Sequence, residues 1–294
     1  MPDNHITTES DGDLDSSNRP STTVSTNTVA EMLEHGQSLF DNSSLYFGHG
    51  TDNSWDEAVY LLSFVLELAP DVDRTVLERT LTAAQQAAIL ALFQRRIDER
   101  IPAAYLTGRA WFCGLPFTVD ERVIIPRSPI AELIINGFQP WCSAEPNRVL
   151  DLCAGSGCIG IACAYAFEAA EVVVSDISTE AVEVAQSNIA LHKLDYRVSA
   201  VESDLFEQLR GEQFELIVSN PPYVDADDYS SMPDEYYHEP ELALASGDDG
   251  LDFTRRLLRE AADHLTDAGV LVVEVGNSWV ALERDFPTVP FLWL

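Results

Sequence analysis

Apolar residues recur at three- and four-residue spacing through the first third of the chain, from Val29 to about Arg100. The positions that carry this pattern are Met32, Leu33, Leu39, Phe40, Val59, Leu62, Leu66, Ile89, Leu92, Phe93 and Ile97. Such spacing lays an apolar stripe along one side of a helix. The sequence therefore predicts a small helical domain over residues 29–108.

Residues 1–28 show neither helical nor strand spacing. They are rich in Ser, Thr, Asn and Asp and contain almost no large apolar side chains. A segment of this composition cannot bury enough apolar surface to offset the entropy that it would lose on ordering. We predict a disordered tail.

Period-two patterns replace the helical spacing after residue 108. Two short strands, AWFC and FTVD, meet at Gly114 and Leu115 and predict a hairpin within a linker of residues 109–129. A short helix is expected after Pro126 and Pro129.

Strands alternate with helices through the rest of the chain. The strands read RVLDL, EVVVSD, RVSAVESD, FELIVSN and GVLVVEV, and the longest helices between them cover residues 179–192 and 252–265. Regular alternation predicts a parallel sheet with helices on both faces. Residues 130–294 are therefore expected to form an α/β domain.

The composition is strongly acidic, with 49 Asp and Glu against 17 Lys and Arg and a formal net charge of -32. Lysine occurs once, at Lys193. A surface this acidic repels itself unless salt screens it. Because the acidic residues are scattered from Asp3 to Asp285, the pattern favours adaptation to concentrated salt over one acidic patch for a basic partner. A basic partner would still be attracted.

No apolar run approaches the roughly 18 residues needed to span a bilayer, and the amino terminus, MPDNHITTES, lacks the features of a signal peptide. A cytoplasmic location is expected. The five cysteines form no CxxC pair, so the sequence suggests neither a disulfide framework nor a metal site.

A glycine-rich segment, CAGSGCIGIACA, follows the strand RVLDL and carries Gly155, Gly157 and Gly160. Glycines at a strand-to-helix turn let the backbone bend tightly and approach a ligand closely. The turn predicts a nucleotide-like cofactor, and it suits a dinucleotide oxidoreductase equally well.

Acidic residues end the next two strands, at Asp176 and Asp204. The Asp176 carboxylate can accept hydrogen bonds from ribose hydroxyls, and Leu205 and Phe206 beside Asp204 can receive an adenine. Both acids also precede helix starts, where capping is the alternative role. Because the carboxyl ends of parallel strands share one edge, these elements predict a single ligand site there.

The fourth strand ends in the tetrapeptide Asn220, Pro221, Pro222 and Tyr223. An amide nitrogen is a poor nucleophile because its lone pair is delocalised into the carbonyl, so a site that methylates it must hold the NH2 group by its hydrogens. The Asn220 side-chain oxygen and the Pro221 carbonyl can accept those hydrogens, and the prolines keep Asn220 extended. Tyr223 can pack against the flat amide. A purely structural Pro-Pro-Tyr turn is the alternative.

Three stretches of the chain resemble the glutamine-specific protein methyltransferases that modify release factors and ribosomal proteins. They read AYLTGRAWFCGLPFTVDERVIIPRSPIAELI, DLCAGSGCIGIA and YYHEPELALASGDDGLDF. The likeness runs from the helical region to about Trp279 and is stronger to the branch that acts on large-subunit ribosomal protein L three. The release-factor branch has Arg-Pro-Asp-Thr-Glu where this chain has residues 127–131, and Gly where it has Cys153.

The resemblance implies a Rossmann-like class I methyltransferase domain with S-adenosylmethionine as cofactor. It also implies a basic ribosomal protein as substrate, recognised by the helical domain. The tetrapeptide would hold the glutamine, so the expected catalytic residues are Asn220, Pro221, Pro222 and Tyr223. Together with the strand-end pattern, the resemblance gives the expected cofactor-binding residues Asp151, Cys153, Ala154, Gly155, Ser156, Gly157, Asp176, Asp204, Leu205 and Asn220.

Other functions remain open on the sequence alone. An adenine methyltransferase acting on nucleic acid faces the same chemical problem with the same tetrapeptide, although nucleic acid binding normally depends on basic surface. A release-factor methyltransferase is a second alternative. A non-catalytic binding protein is a third, since the family resembled continues past Leu294 with a strand beside GVLVVEV. An unpaired apolar edge there would favour self-association.

The charge balance generates a prediction on salt. Because screening relieves repulsion among the carboxylates, the melting temperature should rise from dilute buffer to molar potassium chloride. Thermal unfolding followed by circular dichroism at several salt concentrations measures this. A melting temperature that stays flat or falls would remove the salt-adaptation hypothesis.

Overall fold

The computed structural model describes residues 27–69 and 72–294. The predicted tail, residues 1–28, lies outside these ranges apart from Asn27 and Thr28. The Thr28 hydroxyl accepts a hydrogen bond from the Glu31 N–H, and Thr28 also bridges to Thr80. Thr28 is therefore part of the helical region.

The first region contains α1 (Val29–Asp41), α2 (Ser54–Leu66), α3 (Ala83–Glu99) and α4 (Ala103–Thr107). Capping boxes begin α1 and α3, in which Thr28 and Thr82 each exchange hydrogen bonds with the residue three positions later. The apolar stripes of these helices meet in a core that includes Met32, Phe40, Leu62, Ile89 and Phe93. The Phe40 and Phe93 rings pack edge to face with 5.2 Å between centroids.

A hairpin of β1 (Arg109–Phe112) and β2 (Leu115–Thr118) follows the helices. Its two-residue turn consists of Cys113 and Gly114, which both have positive φ, at 49° and 75°. Right-handed strand twist favours such a turn. The predicted hairpin is confirmed, with both strands starting earlier than expected, and α5 (Ile130–Ile135) comes next.

Five parallel strands form the sheet of the second region, in the order β5-β4-β3-β6-β7. They are β3 (Arg148–Leu152), β4 (Glu171–Asp176), β5 (Val198–Glu202), β6 (Phe214–Ser219) and β7 (Leu265–Val273). The helices that accompany them are α6 (Cys158–Ala166), α7 (Thr179–Leu191), α8 (Ala226–Ser230), α9 (Asp252–Glu260) and α10 (Trp279–Asp285). The strand order reverses beside β3, so a crevice opens at the carboxyl ends of β3 and β6.

Side chains alternate between two cores along the central strands. Val149 of β3 and Val172 of β4 face one core, shared with α6 and α7, whereas their neighbours Leu150 and Val173 face the other, shared with Leu257 of α9. Burial on both faces explains why these strands read as continuous apolar runs. The predicted α/β fold with a parallel sheet is confirmed.

Two elements differ from the sequence prediction. The helix expected over residues 252–265 ends at Glu260, and its last part tightens into a 3-10 helix, Ala261–His264. β7 begins at Leu265, earlier than the expected Gly269, and within the described ranges it pairs only with β6. Self-association through this edge stays a prediction.

A bridging segment, residues 233–240, joins the helical region to the sheet through buried charges. Glu235 is fully buried and accepts hydrogen bonds from the Tyr46 N–H (2.9 Å), Arg96 Nη1 (3.2 Å) and Arg100 Nη2 (2.8 Å). The Arg96 Nε donates to Glu57 Oε1 of α2 at 2.5 Å. Burial would raise the pKa of Glu235, but these bonds hold it below its ordinary value.

Two neighbouring arginines on α3, one buried and one exposed, allow the contribution of this network to the free energy of unfolding to be tested. Arg96 is 1% exposed, whereas Arg95 makes an exposed pair with Glu99. Arg96→Met leaves the buried Glu57 carboxylate without its cation and leaves Glu235 with Arg100 alone, so it should lower the free energy of unfolding by about 3–5 kcal/mol. Arg95→Met is the matched control and should leave it nearly unchanged. Urea unfolding of both variants measures the difference. Equal free energies of unfolding would show that the network contributes little to stability.

Candidate active site

The glycine-rich loop connects β3 to α6 through a backbone that few side chains tolerate. Cys153, Gly155 and Gly157 have φ values of 57°, 53° and 76°, which lie in the left-handed region that favours glycine. The loop is braced on β4, because the Gly155 N–H donates to Asp176 Oδ2 at 2.9 Å and the Ala154 N–H donates to the Ser175 carbonyl at 3.0 Å. These two hydrogen bonds to β4 therefore fix the conformation of the loop.

A first cavity of about 330 Å³ lies between this loop and the ends of β4, β5 and β6. The predicted cofactor-binding residues that line it are Cys153, Gly155, Asp176, Asp204, Leu205 and Asn220. The others, Asp151, Ala154, Ser156 and Gly157, do not line it. Six of the ten residues therefore lie at one cavity, and the cofactor contacts expected of all ten stay a prediction.

Asp151 lies beneath the loop. Its side chain is fully buried, and Oδ2 accepts a hydrogen bond from the Gly160 N–H at 2.7 Å. Burial raises the pKa of the Asp151 carboxyl to about 8, against the opposing effect of that N–H. A Cβ at Gly160 would lie 2.4 Å from Val174 Cγ1, so glycine is required for this close approach. Asp151 therefore positions the start of α6.

Asp176 and Asp204 both border the first cavity, in different settings. Burial raises the pKa of Asp176, while the N–H groups of Ser178 and Gly155 act in the opposite direction. Asp204 is more exposed, and its two oxygens accept from Arg256 Nη2 at 2.9 and 3.0 Å. Asp176 thus keeps acceptor capacity for a ligand, whereas the Asp204 carboxylate is already shared with a cation.

A second cavity, of about 530 Å³, adjoins the first on the far side of the tetrapeptide. Asn220 lines both cavities, Pro222 lines the first, and Pro221 and Tyr223 line the second. The Asn220 Nδ2 donates to the Arg127 carbonyl at 3.4 Å, which leaves the amide oxygen as a free acceptor. The four consecutive residues expected to be catalytic therefore lie between the two cavities.

The bridging segment and the segment after the hairpin close the second cavity. Glu239 accepts from Arg127 through Nη1 (2.6 Å) and Nη2 (2.5 Å) and from the Ile125 N–H (2.9 Å). His49 Nε2 lies 3.6 Å from the same carboxylate. Burial alone would raise the pKa of Glu239, but His49 and Arg127 lower it to about 2. The carboxylate is therefore charged at neutral pH and holds Arg127 against the site.

Two curated relatives match most of the chain. The ribosomal protein uL3 glutamine methyltransferase of Francisella tularensis is 48% identical over 91% of this chain and 86% of its own length. The chain belongs to the uL3 glutamine methyltransferase family. The Neisseria gonorrhoeae enzyme of the same name is 47% identical over 91% of this chain and 90% of its own length. The resemblance to the ribosomal-protein branch is confirmed.

Two further comparisons concern the methyltransferase domain and its fold. The model of the methyltransferase small domain matches residues 131–235. The crystal structure of the hMettl16 catalytic domain in complex with MAT2A 3′UTR hairpin 6 aligns with 78% of this chain and 85% of its own, at a TM-score of 0.50 and 13% identity. This likeness concerns the fold alone, which is the predicted Rossmann-like class I methyltransferase fold.

S-adenosylmethionine, the cofactor of this family, fits the chemistry of the first cavity. Gly155 leaves one wall without a side chain, and Asp176 supplies an acceptor suited to hydroxyl groups. Ile177, Leu205 and Phe253 give the cavity apolar surface on which an adenine can pack. Among residues 27–69 and 72–294, no group of three or more His, Cys, Asp or Glu is arranged to hold a metal ion.

Sequence reasoning missed three residues at the site: Arg127 and Glu274, which contact the tetrapeptide, and Glu239, which pairs with Arg127. The Tyr223 hydroxyl donates to Glu274 Oε1 at 2.8 Å. Glu274 was detectable in principle, because it is the carboxylate that follows the otherwise apolar GVLVV at the carboxyl edge of the sheet.

In the part of the chain that the structure describes, no helix is long and apolar enough to cross a membrane.

A substitution at Asp176 tests whether the first cavity binds the cofactor. If its carboxylate accepts from the ribose of the cofactor, Asp176→Ala should weaken S-adenosylmethionine binding by roughly 10- to 100-fold, the equivalent of one or two lost hydrogen bonds. Isothermal titration calorimetry measures the affinity. Asp195→Ala, in an exposed turn before β5, is the control. Unchanged affinity in Asp176→Ala would mean that the ribose binds elsewhere.

Proposed function

We infer that this protein transfers a methyl group from S-adenosylmethionine to the side-chain amide nitrogen of a glutamine in ribosomal protein uL3. One observation carries the inference: Asn220 lines both cavities, with Pro222 on the first side and Tyr223 on the second. A methyl donor in the first cavity and an amide in the second therefore meet at Asn220. The names of both curated relatives state the same activity.

The tetrapeptide is suited to hold an amide for reaction. The Asn220 oxygen and the Pro221 carbonyl are acceptors for the two amide hydrogens, and Pro221 restricts Asn220 to extended backbone. Bound S-adenosylmethionine would supply an electrophilic methyl group and leave as S-adenosylhomocysteine, and the nitrogen would release one proton as it is methylated. With no titrating base among residues 220–223 other than a phenol, acceleration comes mainly from alignment, which can contribute several kcal/mol, and from preorganised dipoles.

Tyr223 acts in this scheme as a neutral wall. Burial raises the pKa of its phenol, and the nearby Glu274 carboxylate raises it further. The hydroxyl therefore stays protonated at neutral pH and donates to Glu274. The ring is left to pack against the flat amide and to exclude water from it.

The helical region supports binding of a protein substrate. Tyr46, from the connection between α1 and α2, lines the second cavity together with Tyr236 of the bridging segment, and the two rings lie 5.6 Å apart. A substrate that enters this cavity therefore contacts the helical region, which agrees with its proposed role in substrate recognition. The net charge of -32 attracts a basic ribosomal protein.

Asn220→Ala tests the mechanism. Removing the amide acceptor should reduce methyl transfer by roughly 100- to 1,000-fold, as when one preorganised polar group is removed from other active sites. The measurement is incorporation of labelled methyl groups into purified uL3, with release factor and a DNA oligonucleotide as parallel substrates. We expect the wild-type enzyme to incorporate label into uL3 and into neither of the other two substrates.

The control is Asn147→Ala, an exposed asparagine just before β3, at the opposite edge of the sheet. It should methylate uL3 like the wild type, and both variants should keep the wild-type melting temperature. Near-normal turnover by Asn220→Ala would contradict the mechanism. Label in the oligonucleotide instead of uL3 would contradict the substrate.

A further inference from the structure

The Tyr223 side chain is confined on several sides. A Cβ at Gly276 would lie 2.7 Å from Tyr223 Cδ2, so the backbone after β7 packs directly against the ring. A Cβ at Gly250 would lie 2.3 Å from the Tyr223 carbonyl oxygen. The Gly276 backbone thus lies against the ring and the Gly250 backbone against the Tyr223 backbone, and a bond that anchors the hydroxyl fixes the direction in which the ring points.

Glu274 fixes that hydroxyl. Its Oε1 accepts from the Tyr223 hydroxyl at 2.8 Å, and its Oε2 accepts from the Ser128 hydroxyl at 2.6 Å. Each carboxylate oxygen therefore has one hydroxyl donor. Charge-assisted bonds of this kind are stronger than bonds between neutral groups.

The backbone around Glu274 is itself anchored to the site. The Glu274 N–H donates to the Ser219 carbonyl at 2.9 Å, which sets β7 in register with the strand that leads into Asn220. Ser128 follows Arg127, whose carbonyl accepts from the Asn220 side chain. Glu274 therefore ties Tyr223 to the same two segments that hold Asn220.

We propose that Glu274 is a positioning residue for methyl transfer, which fixes the Tyr223 ring as the wall of the glutamine pocket, with Ser128 as the second donor to its carboxylate. The proposal rests on the proposed function of the site. Glu274 acts through the Tyr223 hydroxyl, so its contribution depends on that hydroxyl being present. A carboxylate that served only to stabilise the end of β7 would have no such dependence.

A double-mutant cycle tests this dependence. Glu274→Gln keeps the shape of the side chain and removes its charge, and it should lower kcat for uL3 methylation roughly 10- to 100-fold, as expected for one lost charge-assisted bond. Affinity for S-adenosylmethionine should stay as in the wild type. Tyr223→Phe should cause a similar loss, and the double variant should be no slower than the slower single variant.

Glu171→Gln is the matched control, because Glu171 is exposed at the amino end of β4, at the opposite edge of the sheet. It should retain wild-type kcat. Independent losses that multiply in the double variant, or a kcat for Glu274→Gln within twofold of the wild type, would overturn the proposal.

A second measurement is independent of methyl transfer. In protein labelled with 13C at tyrosine Cζ, the Tyr223 signal is identified by its disappearance in Tyr223→Phe. It should shift in Glu274→Gln and stay in place in Glu171→Gln. An unshifted signal would overturn the proposal even if uL3 is methylated. A shifted signal without any uL3 methylation by the wild type would instead reject the proposed function and leave the Glu274–Tyr223 contact supported.

Discussion

Buried ion pairing by the bridging segment is the constraint on which the active site depends. Glu235 and Glu239 are almost completely buried, and burying a carboxylate is costly unless cations and N–H groups meet it. Glu235 finds Arg96 and Arg100 of the helical region, whereas Glu239 finds Arg127 beside the tetrapeptide. The segment can therefore occupy only a position where both partners are within reach, and this position closes the second cavity.

The parallel sheet supplies the other part of the site. Its central strands bury both faces, so the polar groups at their carboxyl ends are concentrated at one edge, where β3, β4 and β6 deliver the glycine loop, Asp176 and Asn220. Parallel pairing also brings the end of β7 next to Ser219. Residues distant in sequence thus meet because their strands end at the same level.

Local patterns predicted the elements well and the long-range pairs poorly. The order and type of the strands and the presence of the hairpin follow from short-range periodicity and from the backbone limits of glycine and proline, whereas the starts of β1, β2 and β7 were misplaced by one to four residues. The Arg127–Glu239 and Ser128–Glu274 pairs join residues 112 and 146 positions apart, and no local pattern encodes them. The hydrogen bond from the Gly160 N–H to the Asp151 carboxyl is likewise a product of three-dimensional packing, and the expected contact between Asp151 and the cofactor stays a prediction.

The cations at the two cavities bear on the choice between a protein and a nucleic acid substrate. Arg122 and Arg256 line the first cavity and Arg127 lines the second. Each is paired: Arg122 with Asp120 and Glu183, Arg256 with Asp204, and Arg127 with Glu239. Nucleic acid binding depends on Lys and Arg side chains that neutralise phosphates, whereas these arginines already pair with the protein's own carboxylates. Among the described residues that line the two cavities, no arginine is left without a carboxylate partner to receive a phosphodiester, which agrees with the protein substrate named for the two curated relatives.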